Sequence, residues 1–158
     1  HLLFLNYLFN TYPDARILHL HRDPVKVIPS MASLGVISRQ IHSDQVNAEQ
    51  TANQFLDLMG QNMTNSINYR KETGDSQFLD ISYTELVRDT LNTLENIYNW
   101  LDVDLDPSNK KSISEWLDST RRKRSGKPHR YSLKQFNLNE SKISKGFEQY
   151  SARYADYL

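Results

Sequence analysis

Apolar residues recur along the chain with two different periods. Leu2, Leu5, Leu8, Phe9 and Tyr12 fall at helical spacing, and Tyr12-Pro13-Asp14 ends that run. Ile17 to His21 reads as a short strand, with leucines at 18 and 20 and histidines at 19 and 21. Asp23-Pro24 offers an N-cap followed by proline at the first helical position. Residues 16 to about 38 therefore predict strand, tight turn and helix, with Pro29 kinking the helix. A long, rather polar helix is expected over 47–72, with Phe55, Leu58, Met59 and Ile67 turned inward. Gly74-Asp75 marks a turn, and Phe78 to Tyr83 a second strand. Leu91, Leu94, Ile97, Tyr98 and Leu101 predict another amphipathic helix. Asp106-Pro107 repeats the cap-plus-proline start, opening a helix that contains Ile113, Trp116 and Leu117. Residues 121–137 read as a basic loop. Asn139 then caps a last helix with Ile143, Phe147, Tyr150 and Tyr154 on one face.

Strands separated by helices predict an α/β fold with a parallel sheet. Two strands make a poor sheet by themselves. The expectation is therefore that residues 1–158 are a fragment of a larger domain entered partway at His1, the alternative being a mostly helical fold.

Composition narrows the function classes. The 158 residues carry 19 Lys+Arg against 19 Asp+Glu, and 38% are hydrophobic, which describes a folded domain rather than a disordered tail. The balanced charge argues against a global attraction to DNA or membranes, though not against a local patch. The lack of cysteine excludes disulfides, Cys-ligated zinc, iron–sulfur clusters and a Cys nucleophile. Neither a signal peptide nor an apolar run of about 20 residues is visible, so a cytoplasmic location is expected, with a Golgi lumen open if the source is eukaryotic.

Three constellations could carry chemistry. His21-Arg22-Asp23-Pro24, with Ser30 eight residues after the arginine, places a cation where a strand gives way to a helix N-terminus. Ligands of α/β proteins collect there, and the free N–H groups and dipole suit phosphate. The alternative is that Arg22 pairs with a nearby carboxylate and Ser30 faces solvent. The run from Arg121 to Tyr131 holds six Lys/Arg and no acid, and Gly126 lets backbone approach a ligand. It could bind a nucleotide phosphate, form a nonspecific nucleic-acid patch or be a solvated loop. Ser82-Tyr83-Thr84-Glu85 ends the second strand with a capping-box pattern, placing Tyr83 at the same sheet edge as Arg22, either to touch a base or to pack in the core. His19 and His21 share a strand face, but no third metal ligand is obvious, so polar packing is the expected role. No Walker-type or dinucleotide glycine loop is present.

Taken in order, these segments resemble the PAPS-dependent sulfotransferase family, especially its bacterial-type branch. Phe9-Asn10-Thr11-Tyr12-Pro13-Asp14-Ala15-Arg16-Ile17 is similar to the segment leading into one of the family's strands. His21-Arg22-Asp23-Pro24 with Ser30-Met31-Ala32-Ser33-Leu34 resembles the segment whose Arg and Ser hold the 3′-phosphate of PAPS (3′-phosphoadenosine 5′-phosphosulfate). Phe78-Leu79-Asp80-Ile81-Ser82-Tyr83-Thr84-Glu85-Leu86 resembles the strand whose Tyr contacts adenine, and Ile97-Tyr98-Asn99-Trp100-Leu101 with Leu105-Asp106-Pro107 the helix after it. Gly126-Lys127-Pro128-His129-Arg130-Tyr131-Ser132-Leu133-Lys134-Gln135-Phe136-Asn137-Leu138 resembles the loop that closes over the cofactor phosphate.

The resemblance implies a P-loop-type, helix-rich α/β fold, a three-layer parallel sheet flanked by helices, here without the N-terminal strand and phosphosulfate loop. It implies sulfuryl transfer from PAPS to an acceptor hydroxyl or amine on a small molecule or glycan, with no metal and no nucleic-acid partner. Arg22, Ser30, Tyr83, Arg124, Gly126 and Lys127 would bind the cofactor. His1 would be the last residue of an upstream Lys-x-Pro-x-His segment and hence a catalytic candidate; this portion alone is not expected to catalyse. Asn137 stands where the family has Gly, a change a left-handed turn tolerates. The competing readings are another P-loop-like nucleotide-dependent transferase or kinase, and a non-catalytic domain that binds polyanions through residues 121–134.

Overall fold

The computed structural model describes residues 2–123 and 131–158. Leu2–Phe4 forms a 3-10 turn that leads into α1 (Leu5–Thr11), and the chain then enters β1 (Ile17–His21). Asp23 caps α2 (Pro24–Gln40) through its side chain, which accepts the Val25 N–H at 2.9 Å. The helix runs on through Pro29. Asn47 caps α3 (Ala48–Thr73) in the same way, accepting from Gln50 N, and Gly74 at φ 89° stops it. β2 (Phe78–Ser82) follows, then α4 (Tyr83–Arg88), α5 (Thr90–Trp100) and α6 (Pro107–Lys123).

The chain resumes with a 3-10 turn over Leu133–Phe136. Ser132 and Gln135 cap it reciprocally. Asn137 leaves the turn in the left-handed region at φ 49°, the conformation expected where the family's glycine is replaced. The expected last helix is two, α7 (Glu140–Gly146) and α8 (Glu148–Arg153), broken at Phe147 and ending in a 3-10 turn over Ala155–Tyr157. The basic segment expected to be loop from residue 121 begins instead on the last turn of α6.

β1 and β2 pair in parallel, with Ile17 opposite Phe78 and His21 opposite Ser82, as the strand–helix alternation predicted. The order β1-α2-α3-β2 makes the crossover a long helical hairpin. That hairpin closes tightly at Gly35, where a Cβ would lie 2.2 Å from the Phe55 ring. Ile28 and Ala32 of α2 and Ala52, Leu56 and Ile67 of α3 form one wall of the main core, and Phe136, Leu138, Ile143, Phe147, Tyr150 and Tyr154 the other. A second cluster of Leu5, Phe9 and Phe78, with Phe9 stacked on Tyr69, joins α1 to the start of the sheet.

The alternation in β1 has a consequence that its composition hides. Leu18 and Leu20 are each 46% exposed, whereas His19 and His21 are buried. The histidines, not the leucines, face the α3–α8 side of the sheet. Leu58 of α3 is exposed, contrary to the inward position expected for it, and Trp116 of α6 is exposed as well. Among the described residues no helix is long and apolar enough to cross a membrane.

Candidate nucleotide-binding site

Because His21 and Ser82 are register partners, the residues that follow them emerge side by side at the carboxyl ends of the two strands. Those residues are Arg22 and Tyr83. The Arg22 guanidinium carbon lies 4.3 Å from the centroid of the Tyr83 ring. The contact holds a long cationic side chain over an aromatic face. Arg22 is exposed and Tyr83 half-buried. Among the described residues Arg22 has no carboxylate within salt-bridge distance, and the nearest in sequence, Asp23, is occupied as the α2 cap. The guanidinium therefore stands beside a helix N-terminus with its charge uncommitted, which is chemistry suited to an anion. Ser30 is half-buried on α2, about two turns from the helix start.

Ser82 caps α4 by accepting the Glu85 N–H at 3.4 Å, but the Glu85 side chain pairs with Arg88 rather than closing a capping box. His1, Arg124, Gly126 and Lys127 lie outside the described residues. What the structure shows of the closing segment is its return. Phe136 and Leu138 are buried in the main core, and Asn137 Nδ2 donates to Glu49 Oε1 at 2.8 Å, tying the segment to α3.

Beneath this surface lies a buried polar network whose members the sequence reading did not assemble. His21 Nε2 is 2.8 Å from Asp80 Oδ1, and His21 Nδ1 is 3.0 Å from the Tyr150 hydroxyl. Arg70 grips Asp80 with both terminal nitrogens, at 2.8 and 2.7 Å, and donates to the Tyr154 hydroxyl at 3.0 Å. A further bond ties Arg70 to Asp75, which Arg153 also holds. Arg70 is only 2% exposed although it belongs to a rather polar helix, α3. One signal was available in the sequence: Asp80 interrupts an otherwise apolar strand start, and an acid there requires a partner.

The conserved-domain model of the sulfotransferase family matches residues 1–107. The chain belongs to the sulfotransferase family. No curated protein matches its sequence. Two solved structures resemble it in fold. Sulfotransferase STF9 from Mycobacterium avium superposes with a TM-score of 0.84 at 21% identity, over 98% of this chain and 40% of that one. Sulfotransferase STF1 from Mycobacterium tuberculosis H37Rv gives 0.71 at 24% identity, over 93% of this chain and 37% of that one. The chain thus spans well under half the length of each.

In this sulfotransferase-family chain the histidine pair does have a third neighbour. His19, His21 and Asp80 bring their ligand atoms within 4.8 Å of one another. Both Asp80 oxygens, however, are engaged by the Arg70 guanidinium, which already supplies the positive charge a metal would bring. The cluster lies within a buried polar network that also includes Arg70, Tyr150 and Tyr154. Among the described residues His19 Nδ1 has no hydrogen-bond partner, the nearest Asp80 oxygen being 3.7 Å away.

Burial, reinforced by the field of His21 and only partly opposed by Asp80, pushes the His19 imidazole down to about 4. Between pH 6.5 and 4 the unfolded chain therefore binds a proton at His19 that the folded chain refuses. Stability should fall on acidification across that window, with a slope approaching about 1.4 kcal/mol per pH unit. Urea unfolding of wild type and His19→Asn at half-unit pH steps measures it. The variant should lose the slope, and an identical slope in both proteins would assign it elsewhere.

Proposed function

We propose that residues 1–158 form part of a sulfotransferase domain and carry the side of a PAPS site that recognises the 3′-phosphate and adenine. The observation that carries the proposal is the meeting of Arg22 and Tyr83 at adjacent strand ends, beside the α2 N-terminus. Arg22 and Ser30 would hold the 3′-phosphate by charge-assisted hydrogen bonds. Tyr83 would lie against the adenine. Arg124, Gly126 and Lys127 would close over the phosphates, a role supported by the anchoring of Phe136 and Leu138 that fixes where that segment returns.

The reaction follows from the family. The sulfuryl sulfur leaves its phosphate oxygen as the acceptor oxygen or nitrogen bonds to it, releasing adenosine 3′,5′-bisphosphate. The acceptor proton passes to a base, for which His1 is the candidate in this chain. Cationic groups would neutralise charge that builds on the leaving phosphate, as in phosphoryl transfer. The acceptor is a small molecule or glycan bearing a hydroxyl or amine.

Calorimetric titration with adenosine 3′,5′-bisphosphate, 5′-AMP, ATP and a short DNA duplex tests this reading. The bisphosphate should bind at least tenfold more tightly than 5′-AMP or ATP, a difference of about 1.4 kcal/mol or more. Preference for ATP would favour a kinase-like transferase. Tight DNA binding with a steep salt dependence would instead make the basic segment a polyanion site.

A further inference from the structure

Away from the nucleotide surface, the tip of the α2–α3 hairpin encloses a cavity of about 520 Å³. It lies at the far end of α2, where Ser38 stands eight residues beyond Ser30, roughly 12 Å of helical rise. The volume falls in the range of small-molecule sites. Ser38, His42, Gln45 and Gln50 bring hydroxyl, imidazole and amide groups to its wall. Among the described residues that line it, Val46 is the one apolar side chain and none is acidic.

Arg39 gives the cavity its charge. Its two terminal nitrogens are tied to neutral partners, Nη1 donating to Thr51 Oγ1 at 2.8 Å and Nη2 to Gln54 Oε1 at 2.7 Å. Thr51 is 0% exposed, and its hydroxyl already donates to the Asn47 carbonyl at 2.8 Å, so toward Arg39 it can only accept. The anchor is itself held in place. Gly35 draws the two helices so close that a Cβ there would stand 3.2 Å from Thr51 Cγ2. The His42 N–H closes the end of α2 on the Arg39 carbonyl at 3.0 Å. Among the described residues no carboxylate lies within salt-bridge distance of Arg39, and the Glu49 carboxylate nearby in α3 is taken by Asn137. The guanidinium is thus oriented without being neutralised, and it has more N–H donors than these two bonds use. An arginine ordered in advance loses less freedom when an anion binds.

Charge and lining together define the ligand. A single fixed guanidinium, with no second lysine or arginine on the wall, matches one carboxylate rather than a polyphosphate. The hydroxyl, amide and imidazole groups around it suit the hydroxyls of a polyol. We propose that this cavity is a second ligand site, separate from the nucleotide surface, and that it takes a polyhydroxylated monoanion of the sugar-acid class with its carboxylate on Arg39. The proposal does not depend on the nucleotide reading.

NMR titration of the isotope-labelled chain with D-glucuronate, and with D-glucose as the neutral control, tests it. Glucuronate should perturb backbone amides within residues 38–51 and bind at least tenfold more tightly than glucose. Arg39→Gln should bring the two sugars to equal affinity, while the thermal midpoint stays near that of wild type because the side chain is exposed. Arg39→Lys keeps the charge without the planar fork and should recover only part of the preference. Adenosine 3′,5′-bisphosphate should leave the glucuronate affinity unchanged. Displacement of glucuronate by the bisphosphate would assign the carboxylate to Arg22 and overturn the proposal. Equal affinities of the two sugars for wild type, or perturbations centred outside the hairpin, would overturn it as well. The perturbation map is read on the unmutated protein, so it holds even if a variant fails to fold.

Discussion

Replacing Asp80 with alanine should destabilise the fold by about 3–5 kcal/mol, the cost of leaving a buried cation without its partner. Arg70 would keep only the Tyr154 hydroxyl and the half-exposed Asp75 carboxylate, while His21 would lose the acceptor of its Nε2. A domain of this size holds only about 5–15 kcal/mol in total, so the variant should unfold near ambient temperature or at low denaturant. Asp75→Ala removes an outer, half-exposed partner of the same arginine and should cost about 1 kcal/mol or less. Urea midpoints of the two variants against wild type give the comparison. A loss of under 1 kcal/mol for Asp80→Ala would mean that Arg70 is solvated after all. The same pairing has a pH signature. Arg70 and His21 hold the Asp80 carboxyl well below the usual carboxylate range, against the opposing effect of burial. Its stabilisation is thus complete above the unfolded carboxylate value near 4 and is lost as pH falls further through the lower folded value. This acid limb lies below the His19 window, so the two can be separated along one titration.

Arg22→Ala should weaken adenosine 3′,5′-bisphosphate by about 2–3 kcal/mol, or roughly 30- to 150-fold in Kd, while 5′-AMP binding barely moves. The asymmetry is the informative part. Both nucleotides carry the base, the ribose and the 5′-phosphate, and only the bisphosphate offers the 3′-phosphate that Arg22 is proposed to meet. Arg22→Lys should recover only part of the loss, because an ammonium can neither grip a phosphate with two parallel N–H groups nor lie flat on the Tyr83 ring. Equal losses for both nucleotides would show that the arginine supports the adenine or the fold instead. Arg22 is exposed and Arg22→Ala leaves the Asp23 cap intact, so the fold should be retained in this variant.

The elements that local chemistry dictates were legible in the sequence. Asp23-Pro24, Asn139 and Ser82 each cap a helix as their side chains require, and Asn137 takes the left-handed conformation its position demanded. The juxtaposition of Arg22 and Tyr83 followed from placing both at the carboxyl ends of parallel strands, although Tyr83, expected as the last strand residue, opens α4 instead. Less legible was direction. A period of two tells which residues of β1 share a face, but not which face is covered, and here the imidazoles went inward because Asp80 and two tyrosines wait there. Arg70 was hidden for the same reason. One more arginine on a polar helix carries no sign that the fold will bury it, since its main partners are Asp80 of β2 and Tyr154 just past α8. The break at Phe147 escaped notice because the apolar spacing from Ile143 to Tyr154 suits one helix or two short ones equally well.

The parallel pairing of β1 with β2 also sets when the surface can come into being. Ile17 and Phe78 are about sixty residues apart along the chain, whereas the α2–α3 hairpin between them closes through much more local contacts. As the polypeptide is synthesised, Arg22 emerges long before Tyr83, and the two meet only once the distant strands have zipped together. A chain with an intact helical hairpin but unpaired strands would retain most of its helix signal and have no arginine–tyrosine surface. Nucleotide binding at the proposed site would thereby report on completed folding, and a bound nucleotide would reward a slow and non-local contact.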